Sequence, residues 1–283
     1  MRQSKRSRSS RQGALSILAA LMMSAFLLGL SGQSVMAQTT ILEDTFTHAM
    51  LDLGWPATEP VETGPAGLEW QGNGGPPISF DGAGNMSIRQ GGALRDQFLT
   101  TVPGDGLSLP TDGNNLIFIC IFNMPAGGLM SIGLHDADAA GWGPSPAGET
   151  STRMFQLDGL TGDVYFTDDG DVAAGAGEDT GQDFTPGTSQ GLMFCVEALS
   201  DTVGSDITLW YQDGAETSPL SPGWTQITPG GGPLTGFISS GLGDVEVGAL
   251  HVGGASSPLL LDYVAVLHDA QKVPAELSEF VLD

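Results

Sequence analysis

Most of the chemistry available to this chain must come from oxygen. Its 283 residues hold 33 Asp and Glu against nine Lys and Arg, with four His and two Cys. Glycoside hydrolysis needs two carboxylates placed across the scissile bond. The nearest pairs are Asp136/Asp138, Asp169/Asp171 and Asp244/Glu246. Their i, i+2 spacing would set both acids on one face of a strand, yet a chain this acidic contains such pairs by chance. Gly187-Thr188-Ser189-Gln190-Gly191 fits G-x-S-x-G, but that nucleophile needs a strand before it and a helix after it. Here a Pro-containing loop precedes and a strand-like run follows. His48, His135, His251 and His268 stand far apart, and the cysteines are not spaced as zinc ligands. No catalytic motif is readable.

Binding chemistry has more to work with. Calcium takes carboxylate and carbonyl oxygens from loops that let several converge. Asp168, Asp169 and Asp171 in TDDGD form the best local cluster, with Glu178, Asp179 and Asp183 nearby. A solvated acidic loop is the plainer reading of the same residues. Sugar faces stack on exposed aromatics, and Trp55, Trp70, Trp142 and Trp224 sit in Gly/Pro-rich stretches. Trp142, in GWGPSP, and Trp210, on a strand, are the candidate ligand-binding residues. Large aromatics more commonly anchor a loop to the core. Cys120 and Cys195 form a disulfide in an oxidising compartment or remain reduced core residues; each lies in an apolar run.

The elements that must position these groups are short. Runs of apolar or β-branched residues alternate with Gly, Asp, Asn and Pro, which is the strand-and-turn signal. Strands are expected at 41–46, 85–89, 115–123, 128–134, 153–157, 162–167, 191–199, 206–212, 235–239, 245–251 and 259–267. In 206–212, Ile207, Leu209 and Tyr211 alternate with Thr208, Trp210 and Gln212, as in a strand with two unlike faces. Residues 116–122 are apolar throughout, as in a central strand covered on both sides. The stretches 52–82 and 168–190 read as ordered loops, and Pro274 opens a short helix. With 42 Gly and 17 Pro, the chain is an all-β antiparallel sandwich rather than a helical protein.

The first 37 residues have another character. A cationic start (Arg2, Lys5, Arg6, Arg8, Arg11) precedes the uncharged apolar run 14–30, and Val35-Met36-Ala37 offers a cleavage site. The expectation is a signal peptide, residues 1–37, cut near Ala37, and one domain over 38–283, secreted or extracytoplasmic in the periplasm or at the cell surface. That domain keeps Arg89, Arg95, Arg153 and Lys272 against all 33 acids, a formal charge of −29. Such a surface repels phosphate backbones and anionic lipid, which argues against nucleic-acid partners and against membrane attachment after cleavage.

From residue 153 onward the order of features resembles LamG-like jelly rolls of the concanavalin A-like lectin/glucanase superfamily. RMFQLDGLTGDVYFTDDG is similar to a hairpin of those domains, and GLMFCVEALSDTVGSDITLWYQDG to their paired strands ending in an Asp-Gly turn. GALHVGG and LLLDYVAVLHDAQKVPAELSEF, with Asp262 in the last strand, resemble their closing segment, and EDTF (43–46) their opening strand. The resemblance implies a two-sheet jelly roll. It also implies a secreted module that binds glycan or an extracellular protein, with calcium as a possible aid. The glucanase branch carries Glu-x-Asp-x-x-Glu on one strand. No Glu here is followed two residues later by Asp, so a glycoside hydrolase of this fold is the weaker expectation. A structural envelope or matrix protein without a small-molecule ligand is the alternative.

Overall fold

The computed structural model describes residues 39–49, 51–53, 58–71, 78–89, 100–101, 107, 109–110, 112–136, 153–167, 178–197, 205–214, 223–228, 234–236, 245–252 and 257–269. All of them belong to the compact unit Gln38–Asp283. Trp55, Trp142, Asp168, Asp169, Asp171, the signal-peptide segment and the Pro274 helix lie outside them.

The described residues form eighteen strands. The first seven are β1 (Thr39–Asp44), β2 (Leu51–Leu53), β3 (Thr58–Pro60), β4 (Leu68–Gln71), β5 (Ile78–Phe80), β6 (Met86–Ile88) and β7 (Thr100–Thr101). Then come β8 (Asn115–Asn123), β9 (Leu129–Asp136), β10 (Arg153–Asp158), β11 (Asp163–Thr167), β12 (Glu178–Asp183) and β13 (Ser189–Val196). The last are β14 (Ser205–Asp213), β15 (Thr225–Ile227), β16 (Leu234–Gly236), β17 (Val245–Val252) and β18 (Leu259–Asp269). Among the described residues no helix is long and apolar enough to cross a membrane.

The architecture is an all-β antiparallel sandwich of the jelly-roll kind. One layer is a ten-stranded sheet running β15-β14-β13-β8-β18-β6-β5-β2, with β1 joined to β18 and β16 to β14. The other is the five-stranded sheet β12-β11-β10-β9-β17. The sequence points to two sheets; a third, β3-β4-β7, takes β3 and β4 from the stretch 52–82 read as loop and β7 from residues 100–101. All eleven expected strands are present. β3 to β5, most of β2, and β12 fall inside the two stretches read as loops: β2 to β5 have three or four residues, too few to show a period, and β12 carries no apolar residue.

Alternation explains the core. Leu116, Phe118, Cys120 and Phe122 of β8 face the five-stranded sheet and meet Ile132, Phe155, Phe166 and Phe194 in one apolar cluster. Phe194 is the hub: it stacks on Phe118 at 5.0 Å and meets Phe166 edge-on at 5.5 Å. Ile117, Ile119 and Ile121 point the other way, into a second cluster with Met193, Trp210 and Tyr263. β8 is therefore buried on both faces, as its unbroken apolar run requires. Ile207, Leu209 and Tyr211 likewise face the main core while Trp210 faces away.

Candidate functional site

Trp210 is only 7% exposed, so it is no open platform for a sugar; it packs with Met193 in the second cluster. Its indole N–H is buried with no hydrogen-bond partner among the described residues. Cys120 and Cys195 are both unbridged and buried. Register explains why. Cys120 pairs with Leu192, and Cys195 with Ile117, so the thiols lie three positions apart on neighbouring strands and point to opposite faces. Burial also pushes the Cys120 thiol upward, away from the reactive thiolate. Trp70 plays the anchoring role expected of a large aromatic: it is fully buried, and its indole N–H donates to Asp44 Oδ2 at 2.5 Å.

Asp44 centres a polar cluster that sequence reading missed. β1 ends in Asp44, and the chain then turns at Phe46, a non-glycine residue in the left-handed region (φ +53°). That conformation is uncommon for a bulky residue. It is held by the Phe46 N–H donating to Asp44 Oδ1 at 2.7 Å and by burial of the ring between Trp70 and Phe80. The His48 Nε2 lies 3.1 Å from both Asp44 oxygens, and its Nδ1 lies 3.3 Å from Glu59 Oε1. Glu62 closes the turn from outside. Its Oε2 accepts from Thr45 N and Oγ1 at 2.9 and 2.6 Å, and its Oε1 from Thr47 N and Oγ1 at 2.8 and 2.5 Å.

Burial raises the Asp44 carboxyl above its ordinary value despite the bonds from Trp70, His48 and Phe46. For Glu62 burial pushes the same way but loses to the threonine bonds, and the carboxyl is held down to about 2. Asp44, His48 and Glu62 each offer one ligand atom, all within 4.8 Å of one another, so the group could hold a metal ion. One imidazole with two carboxylates suits a borderline ion such as zinc better than calcium. An ion would compete with the Trp70 and backbone donors that already occupy these oxygens.

A second group lies on the outer face of the five-stranded sheet. Phe155, Leu157, Val164 and Phe166 of β10 and β11 point into the core, so the residues between them point out. Gln156 pairs with Tyr165, and Tyr165 with Asp179, giving one row across three strands on this side, in which Gln156 is buried, Tyr165 partly exposed and Asp179 exposed. Asp158 and Asp163 stand two positions along from Gln156 and Tyr165. Tyr165 is partly exposed, and its hydroxyl donates to Asp163 Oδ2 at 3.1 Å. Its hydroxyl is pushed above the ordinary tyrosine value by desolvation, then by Asp163, Asp179 and Asp158. Asp158 and Asp179 are fixed by turns, accepting from Leu160 N and Gly181 N, both at 2.8 Å. The result is one aromatic ring framed by three positioned carboxylates.

The remaining acids and histidines are dispersed. Asp262 sits at the bulge of β18 between Leu261 and Tyr263, half-buried, and is pushed up to about 6 by burial and by Asp81. His268 lies 3.0 Å from Asp112. His251 is fully buried, with Nδ1 3.0 Å from the Ile88 carbonyl. Of the carboxylate pairs considered for hydrolysis, Asp138, Asp169, Asp171 and Asp244 fall outside the described residues.

No family model matches this chain, and no curated protein matches it. Solved structures similar to it include the carbohydrate recognition domain of Emp46p in its potassium-bound form, at 12% identity and a TM-score of 0.45, covering 76% of this chain and 95% of that one. Another is the CBM2 module of the evolved Dit of Lactobacillus casei BL23 phage J-1, at 10% identity and 0.39, covering 84% and 99%. A third is Trypanosoma rangeli sialidase bound to 2,3-difluoro-KDN, at 9% identity and 0.38, covering 75% of this chain and 28% of that one. With TM-scores below 0.5 these likenesses carry no argument about ligand or reaction.

Proposed function

We propose that this protein is a non-catalytic binding module that takes an extracellular glycan on the outer face of its five-stranded sheet. One observation carries the reading: Tyr165 stands on that face, partly exposed, with Asp158, Asp163 and Asp179 around it. A tyrosine ring offers an apolar surface to the C–H face of a sugar. Ionised carboxylates accept hydrogen bonds from hydroxyls and from nothing that lacks a donor. Each carboxylate is oriented by strand register or by a turn, which lowers the ordering cost of binding. Such a face selects polyhydroxylated, uncharged or amino-bearing ligands and rejects sulfated or uronic ones.

The protein works after export, and the cationic start, the apolar run 14–30 and the Val35-Met36-Ala37 site support cleavage near Ala37. Calcium assistance rests on Asp168, Asp169 and Asp171, and thermal unfolding with calcium against a chelator tests it. A gain of about 2.7 kcal/mol is expected at a hundredfold excess over Kd.

The charge of the same face favours a second reading, a basic protein partner. A glycan array of neutral, amino and acidic sugars separates the two. On the glycan reading, Tyr165→Ala abolishes binding to neutral sugars while Tm moves little, and Tyr165→Phe retains most of it. Binding only to basic proteins, lost in moderate salt, would favour the second reading. Glycan binding indifferent to Tyr165→Ala would remove this face from the site.

A further inference from the structure

We propose that Asp44, His48 and Glu62 bind one divalent transition-metal ion of the zinc class, which ties the β3–β4 hairpin to the end of β1. The observation that carries this is how the ring of His48 is served. Its Nδ1 lies 3.3 Å from Glu59 Oε1, and its Nε2 lies 3.1 Å from both oxygens of Asp44. A neutral imidazole carries one N–H. With that hydrogen on Nδ1 and given to Glu59, Nε2 turns a lone pair toward two carboxylate oxygens, in a side chain only 8% exposed. The two repel each other unless a cation lies between them. A histidine whose other nitrogen donates to a carboxylate is the usual form of a metal-bound imidazole.

The distances suit such an ion. Nitrogen and oxygen on one tetrahedral zinc stand ~3.3 Å apart, close to the 3.1 Å between His48 Nε2 and Asp44. The ligand atoms of all three side chains lie within 4.8 Å of one another. Glu62 therefore closes the set by moving ~1.5 Å, which its exposed side chain allows in exchange for a threonine hydrogen bond. The two inner ligands are already held as outer partners hold them in metal sites. Glu59 and the Phe80 ring, 4.4 Å away, fix the imidazole, while Phe46 N and Trp70 Nε1 fix the Asp44 oxygens. Those donors do not exhaust the carboxylate, which has about four acceptor positions. Besides His48, Oδ1 accepts only from Phe46 N among the described residues. Charge agrees as well, since an ion of +2 cancels the two ligating carboxylates. The imidazole nitrogen separates this ion from calcium, whose ligands are oxygens.

Metal-stripped full chain, without an affinity tag, is to be dialysed against zinc with calcium in large excess, so that all-oxygen sites are filled. The parent should retain one zinc ion per chain and melt higher with zinc than with calcium alone. Glu59→Gln should keep that stoichiometry and weaken affinity by ~10–100-fold, the usual effect of losing an outer partner. His48→Gln, which removes a ligand, should weaken it further and abolish the rise in Tm, and Glu62→Gln should weaken it in the same direction. His268→Asn alters the other histidine–carboxylate contact among the described residues and should bind as the parent does. Circular dichroism checks each fold; should His48→Gln fail, Glu59 and Glu62, nearer the surface, carry the test. Failure of the parent to retain zinc, or equal retention by the parent, Glu59→Gln and Glu62→Gln, overturns the proposal and leaves His48 and Asp44 an ordinary hydrogen-bonded pair.

Discussion

At the residue scale, the informative positions are carboxylates whose surroundings disagree about their charge. Glu62 and Asp262 are opposites. Glu62 is held down to about 2 by two threonines. Its folded value lies below the unfolded one, so it contributes stability above about pH 4.3 that is lost as pH falls toward 2. Asp262 is pushed up to about 6 by burial beside Asp81, and among the described residues no basic group offsets it. Its folded value lies above the unfolded one, so it favours folding below about pH 3.9 and loses that contribution as pH rises through 6. Asp262→Asn should therefore raise stability at pH 7.5 by on the order of 1 kcal/mol, after allowance for partial solvent screening. The gain should shrink toward zero at pH 4. Thermal melts of both proteins across pH 4–8 check this, and an equal offset at every pH would show that Asp262 is not the titrating group. His251 works in the opposite sense to Asp262: burial lowers its value, so it withdraws stability as pH falls through 6.5.

At the element scale, the hairpin between β10 and β11 is held by backbone hydrogen bonds beside the one that Asp158 Oδ1 accepts from Leu160 N. Gly162 N–H donates to Asp158 O at 2.7 Å, and Phe184 N–H to Gly162 O at 2.8 Å. Gly162 has φ +90°, and a Cβ there would stand 2.7 Å from the Phe184 carbonyl oxygen. Gly162→Ala must shift either its own turn or the exit from β12, and should cost about 1–3 kcal/mol. Gly181→Ala is the control, since its φ of +69° carries strain but nothing lies within 4 Å of the added carbon. Urea denaturation of the two should show the larger loss at Gly162; equal losses would mean that contact contributes nothing beyond conformation. The same elements show what was legible beforehand. Strand 116–122 could be read because seven apolar residues in a row have no other home than a sheet interior. β12 could not, since Glu-Asp-Thr-Gly-Gln-Asp has no apolar residue and exists as a strand only because β11 offers an edge. The strand bearing Tyr165 was legible, but its meeting with Asp179 depends on a bulge in that pairing. The Asp44 cluster was hidden for a related reason: Glu62 reaches it from 18 residues away.

At the scale of the whole molecule, charge opposes packing. The cores on both faces of the ten-stranded sheet draw the chain together, while 33 acids against nine basic residues, only Arg89, Arg95, Arg153 and Lys272 of them beyond residue 37, push its surface apart. Among the described residues the ion pairs all use histidine, as in His48 with Asp44 and His268 with Asp112. Repulsion is thus left to solvent and counterions, whose reach falls from ~30 Å at 0.01 M salt to ~10 Å at 0.1 M. Sodium chloride should therefore stabilise this protein. If screening recovers about 1–2 kcal/mol, Tm rises by roughly 2–8 °C between 0.01 and 0.5 M, with most of the rise below 0.15 M, where the screening length changes fastest. Potassium chloride should match it, because the effect belongs to ionic strength and not to a bound ion. A Tm that is flat over this range would mean that the acids are spaced widely enough for water alone to separate them. A rise confined to one cation would instead point to a specific site and turn attention to the carboxylates around Tyr165.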